Sequence, residues 1–217
     1  MHEFQRGFIE FALHTEVLRF GEFTLRSGRR SPYFFDSGRF NTGETLARLG
    51  RFYLQAIEQA GVKFDMLFGA AYKGIPLAAS LAIAYAEERR SAVPYCFNRK
   101  EEKDHGEGGL ILGAPLAGQV LIVDDVITAG GSVSRSVDLI RAAGAEPAGV
   151  AIALDRQERG TGGQSAVQDV EQACGIRVIS IVTLAVLVEY LEQRGGAGDR
   201  LRDIRRYRDE YGVPARS

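Results

Sequence analysis

The chain has 217 residues, 45% of them hydrophobic: enough apolar material for one sizeable core and too little length for two equal domains. Lys and Arg total 27 against 28 Asp and Glu, so no global field exists to hold nucleic acid or an anionic membrane surface, and any anion site has to be local. The apolar run 178–191 is too short and too interrupted by Ser180, Thr183 and Glu189 to span a bilayer, and the first residues lack a secretory leader pattern, which together point to the cytoplasm.

Phe4, Phe8 and Phe11 or Ala12 recur at helical spacing and predict a first amphipathic helix. Residues 22–40, rich in aromatics, glycine and arginine, read as strands joined by a turn at Ser27-Gly28, so that 1–40 forms a small N-terminal subdomain. From Thr42, a candidate N-cap, Leu46, Leu49, Phe52, Tyr53, Ile57 and Ala60 keep a helical period until Gly61 closes the helix. An alternation follows: strand 66–71, helix 75–88, strand 93–98, strand 120–124, helix 132–143, strand 148–154, helix 165–174, strand 177–182, helix 185–193. Continuously apolar strands followed by helices imply a parallel sheet covered on both faces, so the fold class is α/β with its core over 41–195. The last segment, 196–217, carries a highly charged stretch at 199–211 that is a peripheral helix or a frayed tail. Cys96 and Cys174 have no metal or redox spacing and read as buried thiols.

In open α/β sheets ligands bind beyond the carboxyl ends of the strands, and the richest such place follows 120–124. Here Asp124 and Asp125 end an apolar strand, Val126, Ile127, Thr128, Ala129, Gly130 and Gly131 form a turn, and Ser132 opens a helix. Main-chain N–H groups of such a turn and the positive end of the helix cradle a phosphate. The acid pair would repel that phosphate unless it serves something else: vicinal ribose hydroxyls, or a divalent cation. The bland alternative is one Asp capping the helix and the other facing water. No Gly-Lys-Ser/Thr follows and no Gly-x-Gly-x-x-Gly is present, so neither a Walker loop nor a dinucleotide fingerprint fits.

This acidic pair, Thr and Gly at this spacing resembles the phosphoribosyl diphosphate motif of the type I phosphoribosyltransferases. Four further segments, spread along the chain from 23 to 160, narrow the resemblance to the orotate phosphoribosyltransferases. The segment 23–35 is similar to that family's hood over the base, which implies orotate binding by Phe34 and Phe35 and a diphosphate contact from Arg26, where the family usually has Lys. The segment 69–76 resembles the diphosphate loop, often with a cis peptide, and implies contacts from Tyr72 and Lys73; on the residues alone Lys73 is equally an ordinary surface lysine. The charged stretch 98–109, on its own a solvated loop, matches the family's mobile loop and implies that Arg99, Lys100, Lys103 and His105 meet the diphosphate, with Arg99, Lys103 and His105 catalytic. The segment 154–160 implies that Arg156 binds the orotate carboxylate. Gly131-Ser132 stands where relatives often carry Thr-Ala.

The resemblance implies a type I phosphoribosyltransferase sheet, displacement of diphosphate by orotate N1 at ribose C1, contacts from Thr128 to both the 5-phosphate loop and orotate, and Mg2+ held mainly by the substrate. It also implies a homodimer in which the loop 99–109 completes the neighbour's site. A purine-base enzyme would keep the phosphate motif without needing the Phe34-Phe35 hood or Arg156. A phosphoribosyl diphosphate-sensing regulator that binds nucleic acid is disfavoured by the balanced charge and the retained loop cations.

Overall fold

The apolar strands assemble into one sheet in a computed structural model that describes residues 1–25, 27–103, 109–128, 130–160, 162–195 and 198–213, the side chains of Lys100, Glu102 and Lys103 excepted. Its strands are β3 (Met66–Gly69), β4 (Tyr95–Lys103), β5 (Gly109–Gly113), β6 (Gln119–Val123), β7 (Glu146–Asp155) and β8 (Val178–Thr183). They lie in the order β5-β4-β3-β6-β7-β8, all neighbours parallel except the antiparallel edge pair β4–β5.

Period-two alternation sends successive side chains to opposite faces, and both faces are apolar. Leu67, Leu121, Val123, Ala151, Ala153, Ile179 and Ile181 join one core with α2 (Gly43–Ala60) and α3 (Gly74–Arg89). Met66, Phe68, Val120, Ile122, Val150 and Ile152 join the other with α4 (Gly131–Ala142) and α5 (Ala166–Cys174). The central strand β6 is buried on both sides from Val120 to Val123. At about 1.5–3 kcal/mol for each fully buried aliphatic side chain, burial on both faces holds the sheet between its two helix layers.

On the first face, α1 (Glu3–His14) brings Phe8 and Phe11 against Phe52 of α2, and α6 (Leu184–Arg194) follows β8 directly. The N-terminal subdomain is an antiparallel hairpin of β1 (Leu18–Thr24) and β2 (Arg30–Phe35), followed by a single 3-10 turn at Ser37–Arg39. The charged C-terminal stretch is a helix, α7 (Gly198–Tyr211), seated through buried Ile204 and Tyr207.

Two segments differ from the sequence reading. Residues 99–103, read as the start of a loop, continue β4 into a hairpin arm, with Asn98 opposite Ile111 and Lys103 opposite Gly109. The partner strand β5 is short and glycine-bounded, so it carried no clear periodicity. The first strand also begins at Leu18, four residues before the aromatic run that marked it.

Candidate active site

The chain leaves β3 toward β4 on one side and leaves β6 toward β7 on the other, so the gap between the carboxyl ends of β3 and β6 is the topological switch point where ligands bind in such sheets. Close backbone approach brings the two loops together there. A Cβ on Gly74 would stand 2.3 Å from the Val123 carbonyl oxygen, and one on Gly69 would stand 2.7 Å from the Gly74 oxygen, so neither position accepts a side chain. The Ala71–Tyr72 peptide is cis, and Tyr72 is 63% exposed. Buried Asn98 on β4 accepts from the Ala71 N–H at 3.0 Å and donates to the Arg99 carbonyl, tying this loop to the arm.

Lys73 reaches across the switch point, its Nζ 2.7 Å from Asp125 Oδ2, and the Ser37 hydroxyl donates to the same oxygen at 2.5 Å. The backbone of the acid pair is pinned independently: Tyr53 donates its hydroxyl to the Asp124 carbonyl, and the Asp124 and Ala153 N–H groups bond across to β7 and back. Asp124 Oδ1 accepts from the Asp125 N–H at 2.9 Å. Burial, reinforced by the neighbouring Asp125 charge, pushes the Asp124 carboxyl up to about 6. The site therefore holds one carboxylate neutralised by a lysine and one whose ionisation the protein resists.

Beyond the acids, Ile127 is buried in the second core and Val126 packs against the first, so both offer the crevice only their main chain. Thr128 and Ser132 are exposed. Gly130 is left-handed, with φ 71°, and a Cβ there would also meet Val170 at 2.7 Å, whereas a Cβ on Gly131 meets nothing within 4 Å. The helices facing the crevice start without side-chain caps, α3 at Lys73 and α4 at Gly130. Away from it, α2, α5 and α6 are capped by the hydroxyls of Thr42, Ser165 and Thr183. The first turns of α3 and α4 thus keep their N–H groups for an anion.

Arg156 follows β7 and is nearly enclosed. Its Nε donates to Glu158 Oε1 at 2.8 Å, Nη2 lies 2.6 Å from the same oxygen and donates to Ser31 at 3.1 Å, and the guanidinium sits 4.3 Å over the Tyr33 ring. Burial opposes its charge, but Tyr33 and Glu158 outweigh that and hold its pKa above the ordinary value. The Nε/Nη2 edge is thereby engaged inside the protein, so a carboxylate ligand meets the Nη1 side and cannot use that edge for two parallel bonds without displacing Glu158. Phe34 and Phe35 face opposite sides of the hairpin, as adjacent strand residues must. The Phe35 ring turns inward toward Phe8 and lines a small apolar interior cavity, while the Phe34 ring stacks on Phe23 at 5.5 Å with the Arg19 guanidinium 5.6 Å away. The two rings thus have different neighbours, and both are half-buried.

Arg99 lies on the arm and donates to the Gly109 carbonyl at 3.2 Å. Arg26, His105 and Ala129, with the Lys100 and Lys103 side chains, lie outside the described residues. The structure thus joins Lys73, Asp124, Asp125, Thr128 and the α4 turn at one crevice, with Arg156 beyond the adjacent strand. Sequence reasoning missed Ser37, Asn98 and Glu158. Of these only Asn98 carried a signal, as a lone amide ending an apolar strand.

A strand-end acid pair, a glycine turn opening an uncapped helix and a facing lysine define a phosphoribosyl transferase domain, and the model of that domain matches residues 40–170. A curated orotate phosphoribosyltransferase of Thioalkalivibrio sulfidiphilus is 62% identical over 213 residues, 98% of this chain and 100% of that protein. The chain belongs to the orotate phosphoribosyltransferase family. A crystal structure of the Francisella tularensis orotate phosphoribosyltransferase, 41% identical, superposes with a TM-score of 0.87 over 95% of this chain and 100% of that one. The Mycobacterium tuberculosis enzyme in complex with 5-phospho-alpha-D-ribosyl 1-diphosphate, 24% identical, shares the fold at a TM-score of 0.63, over 84% of this chain and 97% of that one.

Proposed function

We propose that this protein transfers the ribose 5-phosphate group of 5-phosphoribosyl 1-diphosphate to orotate, giving orotidine 5'-phosphate and diphosphate, a step of de novo pyrimidine (UMP) biosynthesis. One observation carries the reading: an acid pair with a phosphate-type turn stands at the switch point, and a fixed guanidinium follows the adjacent strand. The first suits a phosphorylated sugar and the second a planar anionic base. Membership of the family supports it.

In this reading orotate N1 bonds to ribose C1 as the bond from C1 to the diphosphate oxygen breaks, with inversion, and positive charge grows on the sugar while negative charge grows on the leaving group. Asp124 and Asp125 accept the vicinal ribose hydroxyls and favour the cationic sugar. Lys73 and Ser37 both engage Asp125 Oδ2, and a ribose hydroxyl that takes the place of Lys73 there would release its ammonium to the diphosphate. The main chain from 126 to 131, with the Thr128 and Ser132 hydroxyls, holds the 5-phosphate. Arg26, Tyr72, Arg99, Lys100, Lys103 and His105 complete the diphosphate site, with Arg99, Lys103 and His105 stabilising the leaving charge. Phe34, Phe35, Thr128 and Arg156 receive orotate.

Among the described residues no three acidic, histidine or cysteine side chains converge on a metal. Two adjacent carboxylates do fit a hard cation that keeps its waters and shares substrate oxygens, so Asp124 and Asp125 would be the protein's contribution to holding Mg2+. When bound, it would neutralise charge on the diphosphate.

We further propose a homodimer acting in the cytoplasm. Membership of the family supports the first part, and two buried free cysteines suit a reducing compartment. An assay of orotate, phosphoribosyl diphosphate and Mg2+, followed by loss of orotate absorbance, tests the reaction; turnover of adenine or hypoxanthine with orotate untouched would select the purine reading. Subunit exchange between Lys103→Ala and Asp124→Asn tests shared sites: one intact site per mixed dimer restores about a quarter of wild-type activity. No recovery despite exchange rejects sharing.

A further inference from the structure

Beside a cation meant for an anionic ligand, a carboxylate is a cost, because it competes with that ligand. Glu158 is such a carboxylate, and it is as enclosed as the arginine it holds, with side-chain exposures of 13% and 12%. It accepts from Arg156 Nε and Nη2 and from the Tyr33 hydroxyl at 3.3 Å, all at Oε1. Tyr33 is fully buried, lies under the guanidinium, and takes the edge of Tyr207 at 6.2 Å and 88°. The Tyr207 hydroxyl is buried beside Arg156 and Glu158 without a well-aligned hydrogen bond among the described residues; burial first, then the Glu158 charge, pushes its pKa up, so the ring adds packing and a polar neighbour.

The backbone bearing Glu158 is clamped by the far end of the chain. Glu158 bridges Gly212, the Arg159 N–H donates to the Tyr211 carbonyl at 2.7 Å, and the Val213 N–H donates to the Gln157 carbonyl at 2.9 Å. Arg29 of the hairpin stacks on Tyr211 and donates to the Arg159 carbonyl at 2.7 Å. The Nε and Nη2 atoms and one face of the Arg156 guanidinium are thus engaged by residues that the proposed chemistry does not use.

We propose that Glu158 is a positioning residue for base recognition, acting through Arg156, and that Tyr33 and Tyr207 extend this device so that α7 belongs to the base site. The proposal rests on the reading of Arg156 as the orotate anchor. By engaging the Nε/Nη2 edge, Glu158 turns the Nη1 side toward the ligand and holds it there before binding.

The test is steady-state kinetics on the full chain, with orotate and phosphoribosyl diphosphate varied separately and melting temperatures measured alongside. Glu158→Gln should raise the orotate KM roughly tenfold while the phosphoribosyl diphosphate KM stays within about twofold. Glu158→Asp should recover part of that loss. Arg156→Ala combined with Glu158→Gln should be no worse for orotate than Arg156→Ala alone. Tyr207→Leu should raise the orotate KM about threefold, and Tyr207→Phe by less.

An orotate KM that falls in Glu158→Gln overturns the proposal, because the carboxylate would then only be competing with the substrate. Equal rises in both KM values with a matching drop in melting temperature also overturn it, as a merely structural role. If Arg156→Ala leaves the orotate KM unchanged, the assignment of Arg156 fails and the proposal with it. If Arg156→Ala raises it and Glu158→Gln does not, the positioning role alone fails.

Discussion

The two sides of the crevice are built by opposite strategies. The proposed phosphate side is mostly local: the stretch 124–132 leads from strand end to helix start, with Lys73 and Ser37 reaching Asp125 and Tyr53 reaching the Asp124 carbonyl from elsewhere. The base side is assembled from distant pieces, with Ser31 and Tyr33 from the hairpin, Arg156 and Glu158 from the end of β7, and Tyr207 from α7. A phosphate can be held by main-chain N–H groups that any tight turn supplies, whereas one particular planar base needs side chains fixed from several directions. The first strategy should break through the backbone and the second through side-chain orientation.

The harshest break is Gly74→Ala, which drives a methyl into the Val123 carbonyl and separates the loops that carry Lys73 and Asp125. It should cost about 1–3 kcal/mol of stability and most of the activity, measured by thermal melts and the orotate assay. A melting temperature equal to wild type would mean that the close approach is not essential.

Asp124→Asn separates function from stability on the phosphate side. With its carboxyl raised from 3.8 to about 6, Asp124 binds a proton more tightly in the folded chain, so its stabilising contribution is complete below about pH 3.8 and is lost as pH rises through 6. The variant should therefore lose activity yet melt on the order of a few degrees higher than wild type at pH 7.5, the gap closing as pH falls below 4. A lower melting temperature at pH 7.5 would instead give Asp124 a structural, capping role.

On the base side, Arg156→Ala should weaken orotate binding by roughly ten- to hundredfold and leave phosphoribosyl diphosphate binding nearly intact, as titrated separately for each ligand. Equal loss of both would erase the distinction between the two sides. The smallest effect is expected at Gly131→Ala, where an added methyl meets open space. Stability should stay within about 0.5 kcal/mol, and a larger loss would show that the turn needs glycine at both positions.

The same contrast explains what was legible in the sequence. Period-two and 3.6-residue patterns located the central strands and helices, because burial on both faces leaves continuous apolar runs. Asp124, Asp125 and Gly130 could be read from spacing because the phosphate turn is contiguous. Glu158 could not, since nothing local distinguishes a carboxylate that will meet Arg156 and Tyr33 from one facing water. Ser37 was silent for the same reason: its partner Asp125 lies 88 residues away. The arm at 99–103 was misjudged because an edge hairpin with polar residues has the composition of a loop, and only its pairing with β5 reveals a strand.

The backbone bonds joining 211 and 213 to 159 and 157 also bear on the order in which the molecule is made. Synthesis runs from the N-terminus, so the acid pair, its turn and the loop of Lys73 all emerge well before α7 does. A nascent chain can complete the sugar-phosphate half of the crevice while still attached to the ribosome. The half that holds Arg156 waits for the last turn of α7, so competence for the base follows the synthesis of that helix.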